Sequence, residues 1–122
     1  MKNKIVIIED EPLLLQALNI ELLDADFDVL SALNGEAGFK LIQKEMPQLV
    51  LLDLLLPGIS GFEVLDLLRK DQFLKKIPVV ILSNLGQQEE QKHALELGAV
   101  DYFIKSNTDL AELTKKIKAL LK

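Results

Sequence analysis

Five short apolar runs divide the chain, and they constrain its fold more than any other feature. They span Ile5 to Ile8, Val29 to Leu33, Leu49 to Leu52, Val79 to Leu82, and Tyr102 to Ile104. The first, third and fourth runs are continuously apolar rather than alternating, which is typical of strands that helices cover on both faces. The runs therefore predict a parallel sheet.

Helical periodicity occupies the segments between these runs. It is clearest in the first and last segments, where apolar side chains recur every three or four positions: Leu15, Leu18 and Leu22, then Leu110, Leu113, Ile117 and Leu120. Pro12 suits the first turn of a helix, and Ser60 with Glu63 forms a capping-box pattern. Gly98 lies where a left-handed helix stop would fall. Five alternations of strand and helix predict a three-layer, doubly wound α/β sandwich.

Length and composition limit the functions that this chain can serve. Its 122 residues suit one core, so residues 1–122 are predicted to form one domain. A net charge of -5 lacks the basic footprint that nucleic acids or anionic membranes require, so neither is an expected partner. The absence of cysteine excludes disulfides, thiolate zinc sites and cysteine nucleophiles. No apolar run approaches the roughly 20 residues that span a bilayer, and a cytoplasmic location is expected.

Polar side chains directly follow several of the predicted strands. In open parallel sheets, ligands bind just beyond the carboxyl ends of the strands. These side chains are Glu9 and Asp10, then Asp53, then Ser83 and Asn84, and finally Lys105. Carboxylates about 4 Å apart repel each other by a few kcal/mol at an effective dielectric of about 20, and a divalent cation removes this cost. Oxygen ligands without His or Cys favour Mg²⁺ or Mn²⁺ over Zn²⁺. Glu9, Asp10 and Asp53 are therefore the predicted metal ligands.

The same constellation suits the transfer of a phosphoryl group to Asp53. A metal ion offsets the charge that develops when a carboxylate attacks phosphorus. Of the three phosphoryl oxygens, one could face the metal, one the ammonium of Lys105 and one the hydroxyl of Ser83. Asp53, Lys105 and Ser83 are therefore the predicted catalytic residues.

Together these residues resemble the receiver domain of two-component response regulators. The motifs that carry the resemblance are Glu9-Asp10, Leu51-Leu52-Asp53, Pro57-Gly58, Ser60-Gly61, Ser83-Asn84 and the segment from Gly98 to Lys105. They occur in the family's order and at its spacing over essentially the whole chain. The set is specific, although no single motif is.

The resemblance implies a fold and a role for each site residue. The fold is a five-stranded parallel sheet of flavodoxin-like order 2-1-3-4-5. Asp53 would be the phosphoacceptor, and Asp10, Asp53 and the backbone carbonyl of Leu55 would hold Mg²⁺, with Glu9 acting directly or through water. Ser83 would be the switch hydroxyl and Tyr102 the switch aromatic.

The resemblance also implies partners. A sensor histidine kinase or a histidine phosphotransfer protein would donate the phosphoryl group. A downstream effector protein or domain would read the face formed by helix four, strand five and helix five. The domain would be a monomer or a phosphorylation-dependent dimer, and it would assist its own phosphorylation without being an enzyme.

This chain departs from the family pattern at several positions. Ser106 follows Lys105 where the family usually has proline, often with a cis peptide bond that aims the lysine. Asn84 stands in place of a small residue, and its amide would either narrow access to the site or donate a further hydrogen bond. Leu55 and Leu85 can exclude an attacking water but cannot orient one, which predicts slow self-dephosphorylation.

Other interpretations of the same residues remain open at this stage. Glu9 and Asp10 could cap the first helix. His93 is expected on the surface of a polar fourth helix with few apolar anchors, which predicts that this helix is mobile. A flavin-binding module would need a loop rich in glycine and hydroxyls after strand one, and an aspartyl-phosphate phosphatase would place its nucleophile there. A degenerate receiver that serves only as a protein-binding scaffold is the main alternative.

Overall fold

The computed structural model describes residues 2–122. In that range the strands are β1 (Lys4–Ile8), β2 (Asp28–Ala32), β3 (Leu49–Leu52), β4 (Val79–Ser83) and β5 (Asp101–Ile104). The helices are α1 (Pro12–Asp24), α2 (Gly35–Glu45), α3 (Gly61–Lys70), α4 (Gln88–Glu96) and α5 (Leu110–Leu120), and a short 3₁₀ turn covers Lys105–Asn107.

The strands form one parallel sheet in the order β2-β1-β3-β4-β5, which confirms the predicted fold. Its register pairs Ile8 of β1 with Leu52 of β3, and Leu52 with Ile81 of β4. Glu9 and Asp53 are the residues that directly follow the paired residues Ile8 and Leu52, so they lie side by side at the carboxyl ends of β1 and β3. The chain reaches a common edge after each central strand.

Two aliphatic cores lie on opposite faces of the sheet. Leu49 and Leu51 of β3 belong to the core that α1 and α5 cover, whereas Val50 and Leu52 belong to the core under α2 and α3. Side chains of a strand alternate between faces, so a strand covered on both sides must be apolar at every position. This explains the continuous aliphatic runs of the central strands.

The predicted helix signals hold, whereas every strand except β3 differs from its apolar run by one residue at one or both ends. Pro12 is the first residue of α1, both hydrogen bonds of the Ser60–Glu63 capping box are present, and Gly98 has φ +100° just after α4. The second strand begins and ends one residue earlier than its apolar run. Leu33 lies beyond the strand and is 56% exposed, because this edge strand has a neighbour on one side only.

Helix α4 is held mainly at its carboxyl end. Ala94 is its only fully buried side chain, and the exposed His93 packs against Phe62 of α3 with ring centroids 4.8 Å apart. The guanidinium of Arg69 donates a 2.9 Å hydrogen bond to the carbonyl of Gly98, just beyond the helix. The mobility of α4 stays a prediction. Within residues 2–122, no helix combines the length and the apolar character needed to cross a lipid bilayer.

Candidate functional site

Asp53 is fixed in place by the end of β3. Its backbone amide donates a 3.0 Å hydrogen bond to the carbonyl of Ile8, so it extends the pairing of β1 and β3 by one residue. Its side chain is buried, at 3% exposure, and Oδ1 accepts a 3.2 Å hydrogen bond from the amide of Leu55. The carboxylate therefore emerges from an aliphatic core in a defined orientation.

Two further carboxylates meet Asp53 at this edge. One oxygen from each of Glu9, Asp10 and Asp53 lies within 4.8 Å of the others. Glu9 is buried, and its Oε2 also accepts a 3.0 Å hydrogen bond from the amide of Glu11, whereas Asp10 is exposed. Glu11 precedes the first residue of α1, so the interpretation of Glu9 as a helix cap stays a prediction.

This acidic cluster fits Mg²⁺. The three side chains offer hard oxygen donors, and exposed Asp10 leaves one side open for the waters that Mg²⁺ retains. Burial raises the pKa of Glu9, and the nearby charge of Asp53 raises it further, while hydrogen bonds from Glu11 and Lys105 oppose the shift. Cation binding would favour the charged form that burial disfavours. The roles of these residues as metal ligands stay a prediction.

Lys105 supplies the positive charge of the site. Its Nζ lies 2.9 Å from Asp53, 3.0 Å from Glu9 and 3.2 Å from Glu11. Burial lowers the pKa of Lys105, but hydrogen bonds to Asp53 and Glu9 outweigh burial and the pKa is raised. No peptide bond in the described range is cis, and the lysine reaches Asp53 although Ser106 follows it. Nothing in the sequence indicates that Glu11 would join this contact.

The backbone of Leu85 joins Ser83 to Tyr102. Ser83 is fully buried at the end of β4, and its Oγ accepts a 3.4 Å hydrogen bond from the amide of Leu85. The hydroxyl of Tyr102 donates a hydrogen bond to the carbonyl of the same Leu85. Burial, together with the charges of Glu90 and Asp53, raises the pKa of Tyr102 to about 12. The two predicted switch residues therefore share one loop residue.

The remaining predicted residues closely follow Asp53 and Ser83 in the chain. Leu55 is 55% exposed beside Asp53, Leu85 is half-buried, and Asn84 is exposed. Neither leucine side chain can form a hydrogen bond with water. Their influence on dephosphorylation stays a prediction.

Gly61 lets α3 begin directly against the site. Its amide donates a 3.0 Å hydrogen bond to the carbonyl of Leu54, and a Cβ at this position would overlap the backbone carbonyl of Asp53. Glycine is therefore required for this close approach. The β3–α3 loop consequently folds back over Asp53.

Comparison with known proteins gives one consistent family. The sequence model of the response regulator receiver domain matches residues 5–118. The chain is 37% identical over 119 residues to the DNA-binding dual master transcriptional regulator RpaA of Synechocystis, covering 98% of this chain and 49% of that protein. It is 34% identical over 122 residues to the phosphate regulon transcriptional regulatory protein PhoB of Rhizobium meliloti, covering 100% and 53%. The chain spans about half the length of the curated relatives it matches.

Solved structures agree with the sequence comparison. The BeF3-activated N-terminal receiver domain of Klebsiella pneumoniae RstA superposes with a TM-score of 0.90 at 34% identity, covering 98% of this chain and 99% of that one. A response regulator structure from Chloroflexus aurantiacus superposes with a TM-score of 0.92 at 28% identity, covering 99% and 98%. Both similarities extend over nearly the whole chain.

Proposed function

Because the chain belongs to the response regulator receiver domain family, we propose that residues 1–122 form one phosphoacceptor domain in which Asp53 carries the phosphoryl group. One observation carries the proposal: the buried carboxylate of Asp53 lies beside the acids that follow β1 and 2.9 Å from the ammonium of Lys105. A nucleophile, a cation-binding set and a fixed positive charge thus meet at one point.

Asp53 acts as the nucleophile. One of its carboxylate oxygens attacks phosphorus and a phosphorus–oxygen bond forms. The bond from phosphorus to the donor's imidazole breaks with its electron pair going to nitrogen, and the donor ring, which carries a proton on its other nitrogen, leaves as neutral imidazole. Mg²⁺ would be held by Asp10, Asp53 and the backbone carbonyl of Leu55, and Glu9 would act directly or through water. The ion would neutralise the charge on the phosphoryl oxygens. Lys105 then moves its hydrogen bond from the carboxylate of Asp53 to a phosphoryl oxygen.

Ser83 and Tyr102 convert the new charge into a change of shape. Phosphorylation adds nearly two negative charges and three acceptor oxygens. The hydroxyl of Ser83 turns to donate to one of them, which weakens its hydrogen bond with the amide of Leu85. Since Leu85 also accepts the hydroxyl of Tyr102, the β4–α4 loop and the tyrosine ring shift together. The face formed by α4, β5 and α5 is the output surface.

The donor is a sensor histidine kinase or a histidine phosphotransfer protein, and the exchange takes place in the cytoplasm. Helix α1 supports a protein donor because Leu13, Ile20 and Leu23 are exposed along one side of it. This apolar stripe starts two residues after Glu11, so a helix that packs on it can bring its histidine to Asp53. A downstream effector protein or domain receives the signal, and the phosphorylated domain acts as a monomer or a dimer.

The domain assists its own phosphorylation and only slowly removes the phosphoryl group. Leu55 and Leu85 flank the site without offering a hydrogen bond to an attacking water. A persistent phosphorylated state follows from this arrangement.

Intact-mass analysis after incubation with acetyl phosphate and Mg²⁺ tests the core of the proposal. The wild-type chain and the matched control Asp28→Ala, which alters an exposed acid of β2, should each gain the mass of one phosphoryl group. Asp53→Ala should gain none. If the wild type gains no mass, the domain is a binding scaffold and the proposal fails.

A further inference from the structure

An exposed apolar pocket lies at the edge of the sheet opposite the phosphorylation site. It encloses about 400 Å³ and is lined by Gln43, Met46, Asp71, Phe73 and Leu74. Met46 precedes β3 and Phe73 precedes β4, whereas Asp53 follows β3. Strands of four or five residues separate the two edges by roughly 15 Å. The pocket is therefore independent of the phosphoryl site.

The two large apolar side chains of this pocket face solvent. Phe73 is 72% exposed and Met46 is 45% exposed, while Leu74 beside them is buried in the core. Exposed aromatic side chains beside a concave surface are typical of protein docking sites.

The loop that presents Phe73 is tightly hydrogen-bonded. Oδ1 of Asp71 accepts hydrogen bonds from the amides of Phe73, at 2.8 Å, and Leu74, at 3.0 Å. Arg69 donates to the carbonyls of Lys75, at 2.7 Å, and Ile77, at 3.1 Å. A preorganised loop binds at low entropic cost, because little backbone freedom remains to be lost.

The surroundings of the pocket are basic, unlike the rest of the chain. Residues 40–46 and 69–77 together contain six basic and two acidic side chains. The whole chain has the opposite balance, with fourteen basic and nineteen acidic side chains. Lys44, Lys75 and Lys76 are exposed, and within residues 2–122 none of them takes part in an ion pair. The acidic lining residue, Asp71, already accepts two backbone amides. Lys44 directly follows the lining residue Gln43, and Lys75 and Lys76 directly follow Leu74, so the charge next to the pocket favours an anionic partner.

We propose that this pocket binds an acidic segment of another protein through one aromatic or aliphatic side chain packed against Phe73 and Met46, with flanking carboxylates on the three lysines. A volume near the lower end of the roughly 300–1,000 Å³ seen for ligand pockets suits one or two such side chains. Binding here is independent of Asp53, so the domain holds this partner in both phosphorylation states.

Selection from a random dodecapeptide display library tests this proposal with the whole chain as the target. The enriched peptides should combine several acidic residues with one aromatic or aliphatic anchor. Their affinity should fall at least about tenfold in Phe73→Ser and in the double variant Lys75→Glu with Lys76→Glu, and it should weaken as salt is added. Leu33→Ser, which alters an exposed leucine elsewhere, is the matched control and should bind like wild type.

Several outcomes would overturn the proposal. These are an absence of enriched peptides, enrichment of basic or uncharged ones, and binding that Phe73→Ser leaves unchanged. Sedimentation velocity gives the remaining test: self-association that Phe73→Ser abolishes would identify a second copy of the chain as the occupant instead. Acetyl phosphate labelling of every variant shows that the fold is intact and separates this proposal from the proposed function.

Discussion

The hydroxyl of Tyr102 donates a hydrogen bond to the backbone carbonyl of Leu85, two residues beyond Ser83. Tyr102 is the only tyrosine in a chain without tryptophan, so the tyrosine absorbance and fluorescence come from this side chain alone. The predicted switch therefore contains its own optical probe.

Titration of Tyr102 should occur at unusually high pH. Burial and neighbouring acids raise its pKa from 10.0 to about 12. Between these two values the folded protein keeps the phenol proton that the unfolded chain loses, so this group's contribution to stability is complete below pH 10.0 and declines as pH rises toward about 12. Ultraviolet absorbance of the phenolate measures the midpoint. A midpoint near 10 in the folded protein would contradict the burial of this ring, and Tyr102→Phe should show no transition.

Removing the hydroxyl of Ser83 should separate phosphorylation from the tyrosine response. Ser83→Ala should cost about 1 kcal/mol of folding stability, because the amide of Leu85 loses its acceptor. The variant should still bind beryllofluoride at Asp53, but it should lack the change in tyrosine fluorescence that we expect in the wild type. Ser106→Ala, which alters an exposed serine, should respond like wild type. An unchanged response in Ser83→Ala would refute the coupling through Leu85.

Loss of the Lys105 charge should destabilise the metal-free domain. Lys105→Met leaves buried Glu9 and Asp53 uncompensated and should lower the free energy of unfolding by about 3 kcal/mol. Urea unfolding with and without saturating MgCl₂ measures this, and Mg²⁺ should restore more stability to the variant than to the wild type. Lys116→Met breaks a partly exposed ion pair with Asp101 and should cost less than about 1 kcal/mol. Equal losses of unfolding free energy in the two variants would show that the contacts of Lys105 stabilise the fold no more than the ion pair of Lys116 does.

A polar side chain at position 55 should shorten the lifetime of the phosphorylated form. Leu55→Asn offers a hydrogen bond that can orient water, and a gain of about 1 kcal/mol in the transition state corresponds to decay that is about fivefold faster. Mass spectrometry of the phosphorylated protein over time gives the rate. Leu67→Asn, on an exposed part of α3, should decay like the wild type. Rapid decay of the wild type itself would contradict the role of the leucines.

The sequence predicts the fold and the central acids because both depend on strong local signals. The aliphatic run from Leu49 to Leu52 is typical of a strand covered on both faces, and the acid that follows such a strand lies at the edge of the sheet. The meeting of Glu9 with Asp53 then follows from adjacent parallel strands.

Other features depend on loop geometry and cannot be predicted in this way. The link through Leu85 uses only its backbone, so its leucine side chain gives no sign of it. Glu11 reaches Lys105 because of how the chain turns into α1. Phe73 resembles a core residue in sequence, and only the turn stabilised by Asp71 places it in solvent.

The separation of charge along the strands has a consequence for how partners approach. Acids cluster beyond the carboxyl ends of β1 and β3, whereas exposed lysines precede the amino ends of β3 and β4, so the charge around the central strands differs between the two edges of the sheet. In the field of a charged protein such a molecule rotates before any surfaces touch. A positively charged partner is thereby attracted to the edge of the sheet that holds Asp53, and a negatively charged partner to the edge near Phe73.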